Sequence, residues 1–281
     1  MKTLRGLLIR LVILIVALVV LFPLIFTISA SFMGEREITE NYLQLNSSGA
    51  AGNPFHIIPD MVTLSGYGTM LTETPQYLMK FWISLGLCLI ITLGQLLIAV
   101  LGGYAFAKFR FPGRDIMFLC IIIIMMMPHQ VTLVPSYMVI SRMNLMGSYW
   151  AIILPGFFSA FGVFLMRHVI AVFPDSLIDS AKIDGAGNLR VLFRVILPSS
   201  IAGVTSLAVL CFLDSWNMVE QPLVFLKETH MYPLSVFLLQ VVSYEPALSF
   251  ACGVLSMFPA VMILLYFEKE LVQGISYSVV K

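Results

Sequence analysis

Charged residues are scarce in this chain of 281 residues: Asp, Glu, Lys and Arg make up only 11% of it, against about 25% of an average soluble domain. The charges also nearly cancel, because there are 16 basic and 15 acidic residues. A nucleic-acid-binding protein needs a basic excess and a disordered chain has a low apolar content, so both classes are excluded. Since 59% of the residues are hydrophobic, the composition indicates an integral membrane protein.

The sequence motifs of several enzyme classes are absent as well. No GxxxxGK[ST] sequence is present to bind a nucleotide, and no HExxH or GxSxG sequence is present for hydrolysis. The four cysteines stand singly in apolar runs, which favours buried free thiols over disulfides or a zinc site. The four histidines are scattered along the chain. We therefore expect no catalytic residue, no metal site and no bound cofactor in this chain.

Six apolar segments are each long enough, or can be extended far enough, to cross the hydrocarbon layer, which takes roughly 20 helical residues. They are residues 11–34, 81–107, 116–141, 143–166, 195–213 (extendable to 219) and 246–267. The apolar run 229–244 is shorter and contains Pro233, so we expect it to be re-entrant or interfacial. The first segment is longer than the apolar part of a signal peptide and is expected to be retained. The sequence thus predicts an all-α integral membrane protein with six transmembrane helices.

The distribution of basic residues predicts the orientation of these helices. With the N-terminus in the cytoplasm, twelve Lys and Arg residues lie on the cytoplasmic side, and only Arg36, Lys80, Arg142 and Lys227 lie outside. This asymmetry follows the positive-inside rule, so both termini are expected to be cytoplasmic. The predicted organisation is an N-terminal tail with the first helix over 1–34, an extracytoplasmic loop over 35–80, and a core of five helices over 81–281.

The cytoplasmic segment 167–198 has the pattern of two short helices joined by a turn. Leu177, Ile178 and Ala181 recur on one face of the first helix, which predicts an apolar stripe there. Asp184 and Gly185 form a turn signal. In the second helix the apolar spacing is again helical, at Leu189, Leu192, Phe193, Ile196 and Leu197. Such an element either lies at the membrane interface or docks on a partner protein.

The order of residues in this loop resembles the EAA motif, EAA-x3-G-x9-I-x-LP, of permease subunits of ABC importers. The corresponding residues are Asp179-Ser180-Ala181-x3-Gly185-x9-Val195-x-Leu197-Pro198. Asp179 and Ser180 replace the usual glutamate and alanine, which shortens the reach of the acidic group. The resemblance implies that the loop contacts an ATPase subunit through Asp179, Ser180, Ala181, Asp184, Gly185 and Ala186. A glycine is expected at position 185, because a turn with a positive φ angle, or close contact with a partner, excludes a β-carbon.

Other segments between about residues 77 and 281 resemble carbohydrate-type permeases. The run YAFAKFRFPG at 104–113 is similar to the end of their second span, and Trp216-Asn217 with Pro222-Leu223 is similar to their WN…PL region. Trp216 and Asn217 are therefore candidates for the substrate path, although either could equally be a packing residue. The tail, 268–281, resembles their terminus but lacks the final glycine, and Gly274, Ser276 and Ser278 are its candidate contacts with the ATPase subunits.

The resemblance implies the type I ABC importer permease fold and a function as half of the path for a sugar or sugar-like solute. The implied partners are a second, non-identical permease, two ATPase subunits that hold ATP and magnesium, a solute-binding protein outside a prokaryotic cell membrane, and membrane lipid. A permease for another small solute, such as a polyol phosphate or a peptide, is an alternative. A secondary transporter is less favoured, because Asp214 is the one Asp, Glu, Lys or Arg residue within a predicted span. Asp214 either faces the pore or caps a helix break.

Overall fold

The computed structural model describes residues 2–39, 57–73, 76–244 and 246–272, and the regular elements in these residues are helices. In chain order, α1 to α15 are Lys2–Ala30, Glu35–Ile38, Ser65–Gly68, Gln76–Lys108, Arg114–Met125, His129–Arg142, Trp150–Gly156, Ala160–Ala171, Asp175–Ile183, Asn188–Val191, Leu197–Ser199, Ile201–Trp216, Glu220–Phe225, Leu234–Tyr244 and Pro246–Tyr266. Two π-helical turns at Thr69–Glu73 and Leu192–Ile196 and a 3-10 turn at Thr229–Met231 lie between them.

Four helical segments in the described residues have the length and composition to cross a membrane. They are Gly6–Ala30, Gln76–Lys108, Trp150–Ala171 and Leu248–Tyr266. Two further pairs of helices pass the same test together but are sharply bent, so the number of spans reaches six if each pair is one span. The chain is therefore an all-helical, multi-pass membrane protein.

The predicted third span, 116–141, is broken in its middle. Helix α5 ends at Met125, helix α6 begins at His129, and the two axes differ by 107°. Pro128 explains the break, because proline has no N–H group for the helical ladder and disfavours the helical conformation of the residue before it. A continuous third helix was thus the wrong expectation.

The predicted fourth and fifth spans begin earlier than the helices in the structure. Residues 143–149 form a turn in which Asn144 and Gly147 have φ angles of 55° and 77°, and the fourth span begins at Trp150. An 85° bend separates Asn188–Ser199 from Ile201–Trp216. Ser200 leaves the helical conformation there (φ −109°, ψ 18°), so residues 195–199 lie before the bend and do not continue the axis of Ile201–Trp216.

The chain divides into two compact units, and the first comprises Met1–Phe81 and Phe237–Phe258. In this unit α1 continues through Pro23 and leaves most of its apolar side chains exposed. Near its end Ala30 and Met33 pack in a small cluster with Ile38. Phe26 joins this cluster and meets Phe250 of α15 edge to face, with ring centroids 5.9 Å apart.

The second unit comprises Trp82–Val236 and Pro259–Lys281 and contains the largest apolar cluster. Helices α4, α8 and α12 pack closely in it. A β-carbon at Gly103 of α4 would lie 2.6 Å from Cβ of Met166 and 2.8 Å from the backbone nitrogen of Arg167. Real β-carbons do not approach other atoms so closely, so the contact between α4 and α8 requires a glycine at this position.

Candidate coupling loop and solute cavity

Helix α9, the first helix of the loop 167–198, ends in a turn that favours glycine. The N–H of Ala186 donates to the carbonyl of Ala181, and the N–H of Gly185 donates to the carbonyl of Lys182, both at 3.0 Å. These two bonds form a Schellman C-cap, in which the residue after the helix adopts a positive φ angle. Gly185 has φ +81°. The left-handed conformation destabilises a residue that carries a β-carbon by about 1–2 kcal/mol.

The inner face of α9 packs on the apolar cluster of the second unit. Ile178 is a buried member of this cluster, and Ala181 and Ala186 pack against it. Leu177 departs from the predicted stripe, because its side chain is 50% exposed. Leu177 and Ile178 lie about 100° apart around the helix, on either side of Ala181, and it is the side of Ile178 that packs on the cluster.

Lys108, the last residue of α4, ties the start of α9 to that helix. Its Nζ donates to the carbonyl of Phe173 at 2.6 Å and to Oδ1 of Asp175 at 2.7 Å, while its side chain is only 9% exposed. The hydrogen bond from Lys108 holds the pKa of the Asp175 carboxyl below its usual value, and the positive charges of Lys108 and Arg110 add to this shift. The loop is therefore joined to the core by both apolar and ionic contacts.

The outer face of the loop carries most of the residues that the sequence assigns to ATPase contact. Asp179, Ser180, Asp184 and Gly185 are exposed, whereas Ala181 and Ala186 are half-buried beneath them. The side chain of Ile183, next to the turn, is 86% exposed. The structure thus brings the six assigned residues onto one short element with its apolar part turned inward and its polar part outward.

A cavity of about 680 Å³ lies within the second unit. It is lined from helices on both sides of the break at Pro128, with Ile124 and Met127 before it and His129 after it. The remaining lining residues are Ile91, Gln95, Thr132, Ser136, Pro155, Gly156, Phe158, Ser159, Ala160, Asp214, Ser215, Asn217, Met218, Val219, Glu220 and Gln221. The volume falls within the roughly 300–1,000 Å³ of small-molecule sites.

A network of polar side chains crosses one wall of the cavity. The Glu220 carboxylate accepts a hydrogen bond from the Gln130 amide at 2.9 Å and lies 3.4 Å from Nδ1 of His129. Nε2 of Gln221 lies 3.0 Å from Nε2 of His129. The hydrogen bond from Gln130, followed by that from His129, lowers the pKa of Glu220 below its usual value. The Glu220 carboxylate is therefore ionised at neutral pH.

The two candidates for the substrate path are placed differently. Asn217 lines the cavity, and its amide donates to the carbonyl of Leu213 at 2.8 Å. Trp216 is 6% exposed, is not part of the lining, and stacks on Phe212 with ring centroids 5.7 Å apart. Asp214 is exposed and lines the cavity, which favours the pore-facing alternative over a capping role.

The polar network was missed by sequence reasoning because its members are far apart in the chain. His129 and Glu220 are 91 residues apart, and no local pattern joins them. The signal that was present is the run of polar residues in an otherwise apolar context just after Pro128. The tail candidates Gly274, Ser276 and Ser278 lie outside the described residues.

A family-level comparison accounts for this combination of loop, cavity and helices. The sequence model for "Binding-protein-dependent transport system inner membrane component" matches residues 95–267, which is more than half of the chain. The chain belongs to this family. It is thus a transport component of the membrane and not itself an enzyme. The candidate coupling loop and all the lining residues of the cavity except Ile91 lie within the matched residues.

Two curated relatives and one solved structure extend the comparison over nearly the whole chain. The arabinooligosaccharides transport system permease protein AraQ of Halalkalibacterium halodurans is 29% identical over 271 residues, covering 95% of this chain and 93% of the relative. The sn-glycerol-3-phosphate transport system permease protein UgpE of Pectobacterium atrosepticum is 29% identical over 264 residues, covering 92% and 91%. A chain of a bacterial ABC transporter involved in the import of the acidic polysaccharide alginate has the same fold, with a TM-score of 0.81 and 21% identity. The match covers 95% of the present chain and 96% of that chain.

Proposed function

We propose that this chain is a permease subunit of an ATP-driven ABC importer and forms half of the translocation path for a sugar or sugar-like solute. The observation that carries the proposal is the coupling loop. A short helix with a Schellman turn presents an exposed face to a partner while its inner face is fixed to the helical core. Membership of a binding-protein-dependent transport family supports the same conclusion.

In this proposal the loop acts as a lever. An ATPase subunit seats against the exposed residues around Gly185, and a movement of that subunit displaces α9. The contacts of Lys108 with Phe173 and Asp175 transmit the displacement to the end of α4, and the packing of Ile178 transmits it to the surrounding helices. The residues of the loop therefore need to be rigid and well fitted, and none of them needs to perform chemistry.

The arrangement in the membrane follows from the same reasoning. We infer six spans with each bent pair as one span, and both termini in the cytoplasm of a prokaryotic cell, as the basic residues indicate. The partners would be a second, non-identical permease, two ATPase subunits and an extracytoplasmic solute-binding protein. The name of the AraQ relative supports a carbohydrate solute, whereas the name of the UgpE relative keeps a polyol phosphate as a second candidate.

Purification of the assembled transporter tests the proposal. A tag on this chain, co-expressed with the permease, ATPase and binding-protein genes adjacent to its own, should isolate a complex with one copy of each permease and two ATPase subunits. In proteoliposomes the complex should import a sugar only with ATP and the binding protein. An ATPase variant that lacks its P-loop lysine is the control. Recovery of self-pairs alone, or uptake without ATP, would contradict the proposal.

A further inference from the structure

The cavity wall that this chain contributes is negatively charged. Its charged or titratable lining residues are Asp214, Glu220 and His129, and no Lys or Arg is among the lining residues that the structure describes. Glu220 is paired with His129 and Gln130, whereas Asp214 is exposed to the cavity. Whether the His129 imidazole is neutral or protonated, the two carboxylates leave the wall with a net negative charge.

The same wall contains polar groups suited to hydroxyl groups. Gln95 is 9% exposed and lines the cavity, and its amide makes no hydrogen bond to the described part of the chain. Because Gln95 faces the cavity, its amide can bond to a ligand or to water there. Asn217 retains a second amide N–H and its carbonyl oxygen after donating to Leu213. Neutral amides and carboxylate oxygens together accept from and donate to the hydroxyls of a sugar.

We propose that this wall selects uncharged, hydroxyl-rich oligosaccharides and excludes solutes that carry a phosphate or carboxylate group. The inference rests on the proposed function and narrows its substrate class. A neutral sugar meets hydrogen-bonding groups on Gln95, Asn217 and Glu220, whereas an anion loses its hydration beside two carboxylates with no cation to compensate. By this argument a polyol phosphate is disfavoured as the substrate, although the UgpE relative, which is also 29% identical, is named for sn-glycerol-3-phosphate.

The charge of the wall can be measured without knowing the substrate. Ser136 lines the cavity, and Ser136→Cys introduces a thiol there at little structural cost. Cys120, the one exposed cysteine among the described residues, is replaced by serine in the same chain. The assembled transporter is treated with a cationic and an anionic methanethiosulfonate reagent, both at rest and trapped with ATP and vanadate. Each rate is divided by the rate of that reagent with free cysteine.

We expect the cationic reagent to react about tenfold faster than the anionic one after this correction. Adding Asp214→Asn and Glu220→Gln should remove the preference, and Thr132→Cys provides a second reporter in case Ser136→Cys assembles poorly. Equal rates, a faster anionic reagent, or no modification of either cysteine in both states would overturn the proposal.

Protection by sugars then tests the substrate class. Arabinotriose at millimolar concentration should slow the modification, and trigalacturonate, an acidic sugar of the same length, should not. In Gln95→Leu the protection by arabinotriose should weaken while the preference for the cationic reagent stays. Protection by trigalacturonate would overturn the proposal. If the charge preference holds but the transporter imports no sugar at all, the proposed function fails instead, so the two failures are distinguishable.

Discussion

Replacement of Gly185 tests whether the coupling loop depends on the backbone of its turn. A β-carbon at this position would have no atom of the described residues within 4 Å apart from its two chain neighbours, so the effect on the chain comes from the φ angle of +81°. Alanine should destabilise the turn by about 1–2 kcal/mol, which lowers the ratio of loops in the Schellman geometry to loops in other conformations by about 5- to 30-fold. Valine should be worse, because a branched residue at positive φ is a genuine outlier.

The assay is the number of ATP molecules hydrolysed per sugar imported by the complex in proteoliposomes. Gly185→Val should raise this ratio, whereas Gly185→Asn should stay near the wild type, because asparagine tolerates the left-handed conformation. Gly187→Ala is the matched control, since Gly187 lies in the same loop at φ −70° and also has open space around it. An unchanged ratio in Gly185→Val would refute the argument from the backbone. Equal damage from valine and asparagine would instead show that any β-carbon obstructs the partner.

Three further predictions concern the attachments of the loop, the core and the tail. Lys108→Met should lower the melting temperature of the complex and weaken coupling, because the part-buried carbonyl of Phe173 and the carboxylate of Asp175 both lose their hydrogen bond from Lys108. The pKa of Asp175 is lowered in the folded chain. The ion pair therefore contributes fully to the stability of the folded state above the ordinary carboxyl pKa, and this stabilisation is lost as pH falls through the lowered pKa. The difference in melting temperature between wild type and Asp175→Asn should therefore become smaller when thermal unfolding is measured below pH 4. A difference that does not change with pH would argue against the ion pair. Gly103→Ala should reduce the yield of folded protein, because its β-carbon would meet Met166 of α8. Gly86→Ala on the same helix, where no such neighbour lies within 4 Å, should not. Equal yields would contradict the close contact between α4 and α8. Deletion of residues 274–281 should weaken assembly or raise uncoupled ATPase activity, and a truncated complex that behaves normally would show that the tail is dispensable.

Features set by short stretches of sequence were predictable. Composition alone indicated a membrane protein, because apolar segments of span length have no other stable environment in such number. The turn at Gly185 was predictable since a Schellman cap is formed by residues within six positions of one another. The inward direction of Ile178 and Ala181 follows from the period of the helix. The exposure of Leu177 does not follow from the period, because the apolar cluster beneath α9 decides which part of the stripe is covered.

Contacts between residues far apart in the chain determine which residues line the cavity. Pro128 favours a break in the helix, but the size and direction of the 107° bend between α5 and α6 depend on the helices packed around it. Asp214 and Trp216 differ by two positions, which places them about 200° apart around α12. Trp216 shares the buried face of α12 with Phe212, whereas Asp214 lines the cavity. The pairing of His129 with Glu220 across 91 residues likewise has no local signature. A helical period determines which residues share a face, whereas only the tertiary packing determines which face lines the cavity.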